Sequence, residues 1–271
     1  MLDASAYGGF LHIVLEQTVT TLEATARLST ANEETIRQAV NDILHLAKRS
    51  WEEKKPVPPP VIWKRTVADV TEVTVAALTY PETPLPDQHS YVEVPFGGLE
   101  PKREGTSLPW DPLQPVTIPG TAIAVAGFID RLDLAGDGSV ARVRDYKSGQ
   151  PLKPKVVLNK GRELQRCLYA FAVKALLGPE VSVEASLLFP REGRCLPLPD
   201  PETVLDKLAQ HLNASQISLL AGRALPGPDA EASWNDLAFA LPANADKAYC
   251  KRKQPRIKEA LGEAALIWEA E

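Results

Sequence analysis

Gly127-Phe128-Ile129-Asp130-Arg131-Leu132-Asp133-Leu134, then Ala135-Gly136-Asp137-Gly138, then Ser139-Val140-Ala141-Arg142-Val143-Arg144-Asp145-Tyr146-Lys147 is the stretch on which the fold turns. Two β-runs, Thr121 to Leu134 and Ser139 to Lys147, flank a turn of the Asp-Gly type, so the segment reads as an antiparallel hairpin. Strand side chains alternate faces, which sends Val143, Asp145 and Lys147 one way and Arg144 and Tyr146 the other. A carboxylate and an ammonium two residues apart on one strand face make a compact place for a hard cation and a water. Asp145 can bind Mg²⁺, and Lys147 can orient or deprotonate the water and neutralise developing phosphate charge. Asp130, on the first strand, can give the same cation a second carboxylate. Taken alone this signal is weak, because an acid-x-Lys pair is usually a surface ion pair.

Outward from the hairpin, helical periodicity dominates. Leu11, Val14 and Leu15 begin a helix between about Gly9 and Arg27. A second helix has Ser29 or Thr30 as its cap, Glu33 and Glu34 in its first turn, and Ile36, Val40, Ile43, Leu44 and Ala47 as its buried stripe. It ends near Trp51, because the run Pro56 to Pro60 makes a stiff connector. Trp63 to Leu78 has strand-like Val and Thr content but helical length and spacing, and helix is the preferred reading. Tyr91 to Phe96 reads as a strand, Gly161 to Leu177 as a helix with Leu164, Leu168, Phe171 and Ala175 inward, and Val181 to Phe189 as a strand. Pro201 to Ala221 is helical, and the tail from Pro226 is loop-rich up to a short C-terminal helix. The expected architecture is mixed α/β, an N-terminal helical part (1–60) followed by a core and C-terminal extension (61–271), together one compact domain.

The chain has 271 residues and 44% hydrophobic content, enough to bury a real core. No stretch is long and apolar enough to cross a membrane, and no secretory signal pattern opens the chain. Three scattered cysteines (Cys167, Cys195, Cys250) exclude a disulfide scaffold and fit a reducing cytosol. Net charge is −5, which by itself disfavours a nucleic-acid partner. Between Arg142 and Arg166, however, eight basic residues meet only two acids, Asp145 and Glu163. A second basic run, Lys247 to Lys258, reads as a solvated face.

Several motifs stand in one order: Gly8-Gly9-Phe10-Leu11-His12-Ile13-Val14-Leu15-Glu16, the hairpin with Asp130 and Asp145-Tyr146-Lys147, then Gln165 and Tyr169 one helical turn apart. Together, from about Tyr7 to Phe189, they resemble the RecB-type nucleases of the PD-(D/E)XK superfamily. The resemblance implies a restriction-endonuclease-like central mixed sheet flanked by helices. It implies that His12, Asp130, Asp145 and the backbone carbonyl of Tyr146 hold Mg²⁺ or Mn²⁺, with Lys147 as the catalytic lysine. It makes Gln165 and Tyr169 the helix-borne pair that supports the site and contacts the DNA backbone. Arg131 and Asp133 read better as a structural ion pair, and Glu93 stays open between active-site neighbour and strand-edge charge.

Many relatives staple the C-terminal region with an iron–sulfur cluster held by four cysteines. Here Tyr249-Cys250-Lys251-Arg252-Lys253 retains one, and no cysteine precedes His12, so no such cluster is expected. The resemblance implies a metal-dependent nuclease acting on single-stranded or end-containing DNA in repair or recombination, located in the cytoplasm. The competing expectation is a catalytically inactive nuclease fold kept for DNA binding or scaffolding. No phosphate-binding loop is present, so a helicase domain or subunit is the expected partner for DNA movement.

Overall fold

The computed structural model describes residues 2–228, 230, 239, 241–243 and 245–270. Much of the loop-rich stretch expected beyond Pro226 lies outside these residues. The described chain falls into two compact units, one of residues 1–116, 124–153 and 165–201, the other of 117–123, 154–164 and 202–271.

The first unit begins with three helices: α1 (Ala4–Thr25), α2 (Glu33–Lys54) and α3 (Pro60–Leu78). Asp3 caps α1 by accepting the Ala6 amide at 2.7 Å. Asn32, not Ser29 or Thr30, caps α2 through the Thr35 amide at 2.9 Å. Ser29 and Thr30 belong instead to a short 3₁₀ turn, Leu28–Thr30, that precedes the cap. The stripe Ile36, Val40, Leu44, Ala47, Trp51 is buried along α2. Pro60 starts α3, where its missing amide costs nothing. The threonines of this β-branched helix bond backward, as Thr66 and Thr71 donate to the carbonyls of Ile62 and Val67. Phe10 locks the three helices together, 5.2 Å from the Trp51 ring and 5.1 Å from that of Trp63.

The sheet follows: β1 (His89–Phe96), β4 (Gly127–Leu134), β5 (Val140–Tyr146), β6 (Ser182–Phe189) and β7 (Arg194–Pro197), in that spatial order. Two short strands, β2 (Val116–Thr117) and β3 (Ala124–Val125), lie outside it. All neighbours run antiparallel except β5 and β6, which are parallel and joined through α4 (Gln165–Leu177). This mixed sheet with flanking helices is the restriction-endonuclease-like arrangement that was expected. The helical layer packs with Tyr146 and Leu188 of the sheet in one core.

Three local readings change. The first hairpin run is shorter than Thr121 to Leu134, because Thr121 closes a turn onto the Ile118 carbonyl after Gly120. Residues 161–164 precede α4, and its buried face differs from the expected stripe: Cys167, Ala170, Phe171 and Val173 are buried, Leu164 and Leu168 only partly, and Ala175 is exposed. β7 was not foreseen, being four residues long and ending in a proline.

The second unit contains most of α5 (Pro201–Leu220) and all of α6 (Lys247–Leu261), with a 3₁₀ segment Gly262–Glu269 behind it. Asp246 caps α6 through the Tyr249 amide. Among the described residues no helix is long and apolar enough to cross a membrane.

Candidate active site

The β4–β5 ladder runs from the Leu134–Ala141 pair to the Arg131–Arg144 pair and stops there. One step further the register would set Asp130 against Asp145. Instead the Tyr146 amide donates to Asp130 Oδ2 at 2.8 Å, so a side chain replaces the missing ladder bond. That bond fixes Asp130 at the mouth of the parted strands.

β1 reaches the same point from the other side. Val92 pairs with Arg131 and Val94 with Ile129, while Glu93 between them makes no ladder pair and has a φ of 48°. Left-handed backbone at a side-chain-bearing residue costs about 1–3 kcal/mol and is typical of functional positions. Its carboxylate Oε1 stands 3.7 Å from His12 Nδ1, and Asp130 Oδ1 stands 3.6 Å from the same nitrogen. One ligand atom from each of His12, Glu93 and Asp130 falls within a 4.8 Å cluster. Imidazole nitrogen and carboxylate oxygens suit a hard or borderline divalent cation.

Asp145 lies beside this trio, and Lys147 Nζ is 2.6 Å from its Oδ2. Lys147 also donates to the Gln165 Oε1, and the Gln165 amide donates to the Tyr169 hydroxyl at 3.4 Å. Tyr169 is held edge-on against Phe96 at 6.1 Å. Gly127 makes room there, since a Cβ on it would press to 3.1 Å on the Phe96 ring.

The electrostatics are those of crowded, half-compensated acids. Burial and then the charge of Asp145 push the Asp130 carboxyl up to about 7. Burial likewise raises Asp145, against the pull of Lys147. Burial works to raise Glu93, but the hydrogen bonds of His12 and Lys102 outweigh it and leave the carboxyl below its usual range. Burial opposes charge on His12, yet Glu93, Asp130 and Asp145 raise it overall. Tyr169 stays protonated, through burial and the neighbouring Asp130 and Asp145. A group of buried carboxylates repelling one another is what a divalent cation would neutralise, so the donor set fits one.

The structure therefore brings His12, Asp130, Asp145, Lys147, Gln165 and Tyr169 into one place. It adds Glu93, which the sequence left open, and Lys102, for which the sequence offered no signal. Lys102 Nζ is 2.6 Å from Glu93 Oε2. The alternation on either side of Glu93 hinted at a strand, but only its unusual φ turns it to the centre. Tyr146 contributes its amide here, and its phenol lies with Arg131 at 3.4 Å.

Other sequence candidates have structural roles. Arg131 grips Asp133 with two 2.8 Å hydrogen bonds, both residues being buried. Arg144 is buried against Glu82, and Arg142 bonds Glu184 at 2.8 Å. Arg166, 2% exposed, donates to the carbonyls of Leu196 and Pro197. Part of the basic window is thus internal and cannot line a strand path. Lys153, Lys155, Lys160 and Arg162 are exposed.

The model of the PD-(D/E)XK nuclease superfamily matches residues 1–251 of this chain. No curated protein matches it.

Proposed function

Because the chain belongs to the PD-(D/E)XK nuclease superfamily, whose members use divalent metals, we propose that it hydrolyses DNA phosphodiesters with Mg²⁺ or Mn²⁺. The observation that carries this reading is the convergence of His12, Glu93 and Asp130 beside the Asp145–Lys147–Gln165 chain. His12, Glu93, Asp130 and Asp145, with the Tyr146 carbonyl, would hold the cation. A bound divalent cation polarises the phosphoryl oxygen and lowers the pKa of a water. Lys147, fixed between Asp145 and Gln165, donates to that water and to the charge developing on the phosphate. Gln165 and Tyr169 hold Lys147 in line and present hydrogen bonds to the strand. The cut leaves a 5′-phosphate.

The substrate in this reading is single-stranded or end-containing DNA, as in the RecB-type enzymes, working in repair or recombination beside a helicase domain or subunit. What supports it is the ordered His12, Asp130, Asp145-x-Lys147 and Gln165/Tyr169 set, and the exposed Lys153, Lys155, Lys160 and Arg162 along one segment. Three scattered cysteines with no CxxC pair suit a reducing cytosol.

The test is incubation of linear single- and double-stranded DNA with the protein and Mg²⁺ or Mn²⁺, beside a Lys147→Ala control. Metal-dependent degradation by the wild type alone supports the reading. Equal degradation by the control, or none by either, refutes it.

A further inference from the structure

Lys102 is the cation at this centre that the proposed chemistry leaves unused. It stands on the loop that leaves β1 at Gly97, whose φ of 73° and 2.1 Å clearance to the Val125 carbonyl exclude any side chain. The loop is anchored at its base, where the Gly98 amide donates to the Pro112 carbonyl and the Trp110 indole to that of Pro95. From there two consecutive basic residues reach back to acids of the centre. Lys102 takes Glu93 Oε2 at 2.6 Å, and Arg103 approaches Glu16, one helical turn beyond His12, at 3.4 Å. Lys102 Nζ also lies 4.7 Å from the centre of the Phe128 ring, on the strand face that Asp130 shares. Its side chain is 51% exposed, whereas that of Glu93 is 11% exposed.

Charge counting gives the pair a role. Glu93, Asp130 and Asp145 are the acids, and Lys102 and Lys147 nearly neutralise them when no metal is present. A divalent cation adds two positive charges, which leaves a surplus beside an exposed, flexible ammonium. Glu93 then has two suitors, and the surplus has one natural taker, a backbone phosphate.

We propose that Lys102 exchanges partners: it holds Glu93 in the metal-free centre and moves to a phosphate of the bound strand once a divalent cation takes that carboxylate. Metal and DNA binding are thereby coupled through one side chain, and the coupling is reciprocal. The proposal rests on the reading of Glu93 as a metal ligand.

The test separates the two halves with Lys102→Met and Lys102→Arg. Calorimetric titration with Mn²⁺, without DNA, should show Lys102→Met binding about tenfold tighter than wild type, since a competing charge a few ångströms away is gone. Binding of a single-stranded oligothymidine with Mn²⁺ present, on a Lys147→Ala background that blocks cleavage, should be weaker with Lys102→Met. The slope of log affinity against log salt should fall by about 0.7, the share of one phosphate contact on a single strand. Lys102→Arg should keep the wild-type slope. Unchanged or weaker Mn²⁺ binding by Lys102→Met overturns the exchange, as does an unchanged salt slope. A wild-type protein that binds no Mn²⁺ overturns the metal-centre reading itself, and the exchange with it.

Discussion

The two faces of the β4–β5 hairpin carry polar clusters built from alternating residues of the same strands, and they are opposites. On one face Arg131, Arg142 and Arg144 meet Asp133, Glu82 and Glu184 in equal number. On the other, Asp130 and Asp145 meet Glu93, with His12, Lys147 and Lys102 at the margins. The first cluster is matched within the protein: Asp133 lies buried with both oxygens on Arg131. The second holds carboxylates crowded together, and burial, followed by the charge of Asp145, raises Asp130 to about 7. A buried charge set whose members pair off with one another is architecture, whereas carboxylates crowded against one another invite a cation. Burial alone distinguishes neither, since both lie largely inside.

The sharpest way to break this contrast is to cut the first cluster at its buried aspartate. Asp133→Ala takes both hydrogen-bonded oxygens from the buried Arg131 guanidinium, leaving it Glu82 at 3.8 Å, and should cost about 3–5 kcal/mol in urea unfolding. A loss under 1 kcal/mol would show the Arg131 face to be no structural pair. Next in size is Lys147→Ala, expected to lower kcat about 10²–10³-fold, the usual toll for one positioned donor to developing charge. Its thermal midpoint should stay close to that of the wild type, and a large drop would make the residue structural instead.

A third measurement uses pH. In the folded protein Asp130 keeps its proton up to about 7, while the unfolded chain releases it near the ordinary carboxylate value. The folded state therefore binds the extra proton between these limits, and metal-free stability should fall as pH rises through that window. Asp145 and His12, both raised, act in the same direction, and the lowered Glu93 acts against them only toward acid. Asp130→Asn should flatten the decline in melting temperature between pH 5 and 8, and Mn²⁺ should do so in the wild type. An equally steep decline in the variant would remove Asp130 as its source. The smallest expected effect is on the outer surface, where Lys153→Ala should lower the salt slope of single-strand binding by about 0.7 without changing Mn²⁺ affinity.

Much of this is legible in the sequence. The Asp-Gly turn between alternating runs fixes the hairpin locally, because a short turn sets register and register sets which residues share a face. That places Asp145 with Lys147 and separates them from Arg144. His12, Gln165 and Tyr169 come from the family resemblance, carried by the order of the motifs and by the one-turn spacing of Gln165 and Tyr169, since no local rule joins a helix near residue 12 to a strand at 145. The leucine stripe does not mark the inward face of α4, because Arg166, Cys167 and Tyr169 to Val173 are buried around most of the helix, and a stripe is informative only where the opposite face meets solvent.

The sequence by itself determined the strand pairings of the hairpin, the helical stripe of α2, and the one strand face that carries both acid and lysine. These follow from periodicity, which is a property of neighbours in the chain. Only the folded chain shows that Glu93 turns inward, that Lys102 holds it, that Arg144 and Arg166 are buried, and that the half-buried Arg142 is paired with Glu184. Each of those depends on a partner beyond the local turn, nine residues away for Lys102 and 30 or more for the arginines, or on a backbone angle that packing imposes. Charge in a sequence is only a sum, and which charges remain to meet a ligand is settled by the contacts that neutralise the others.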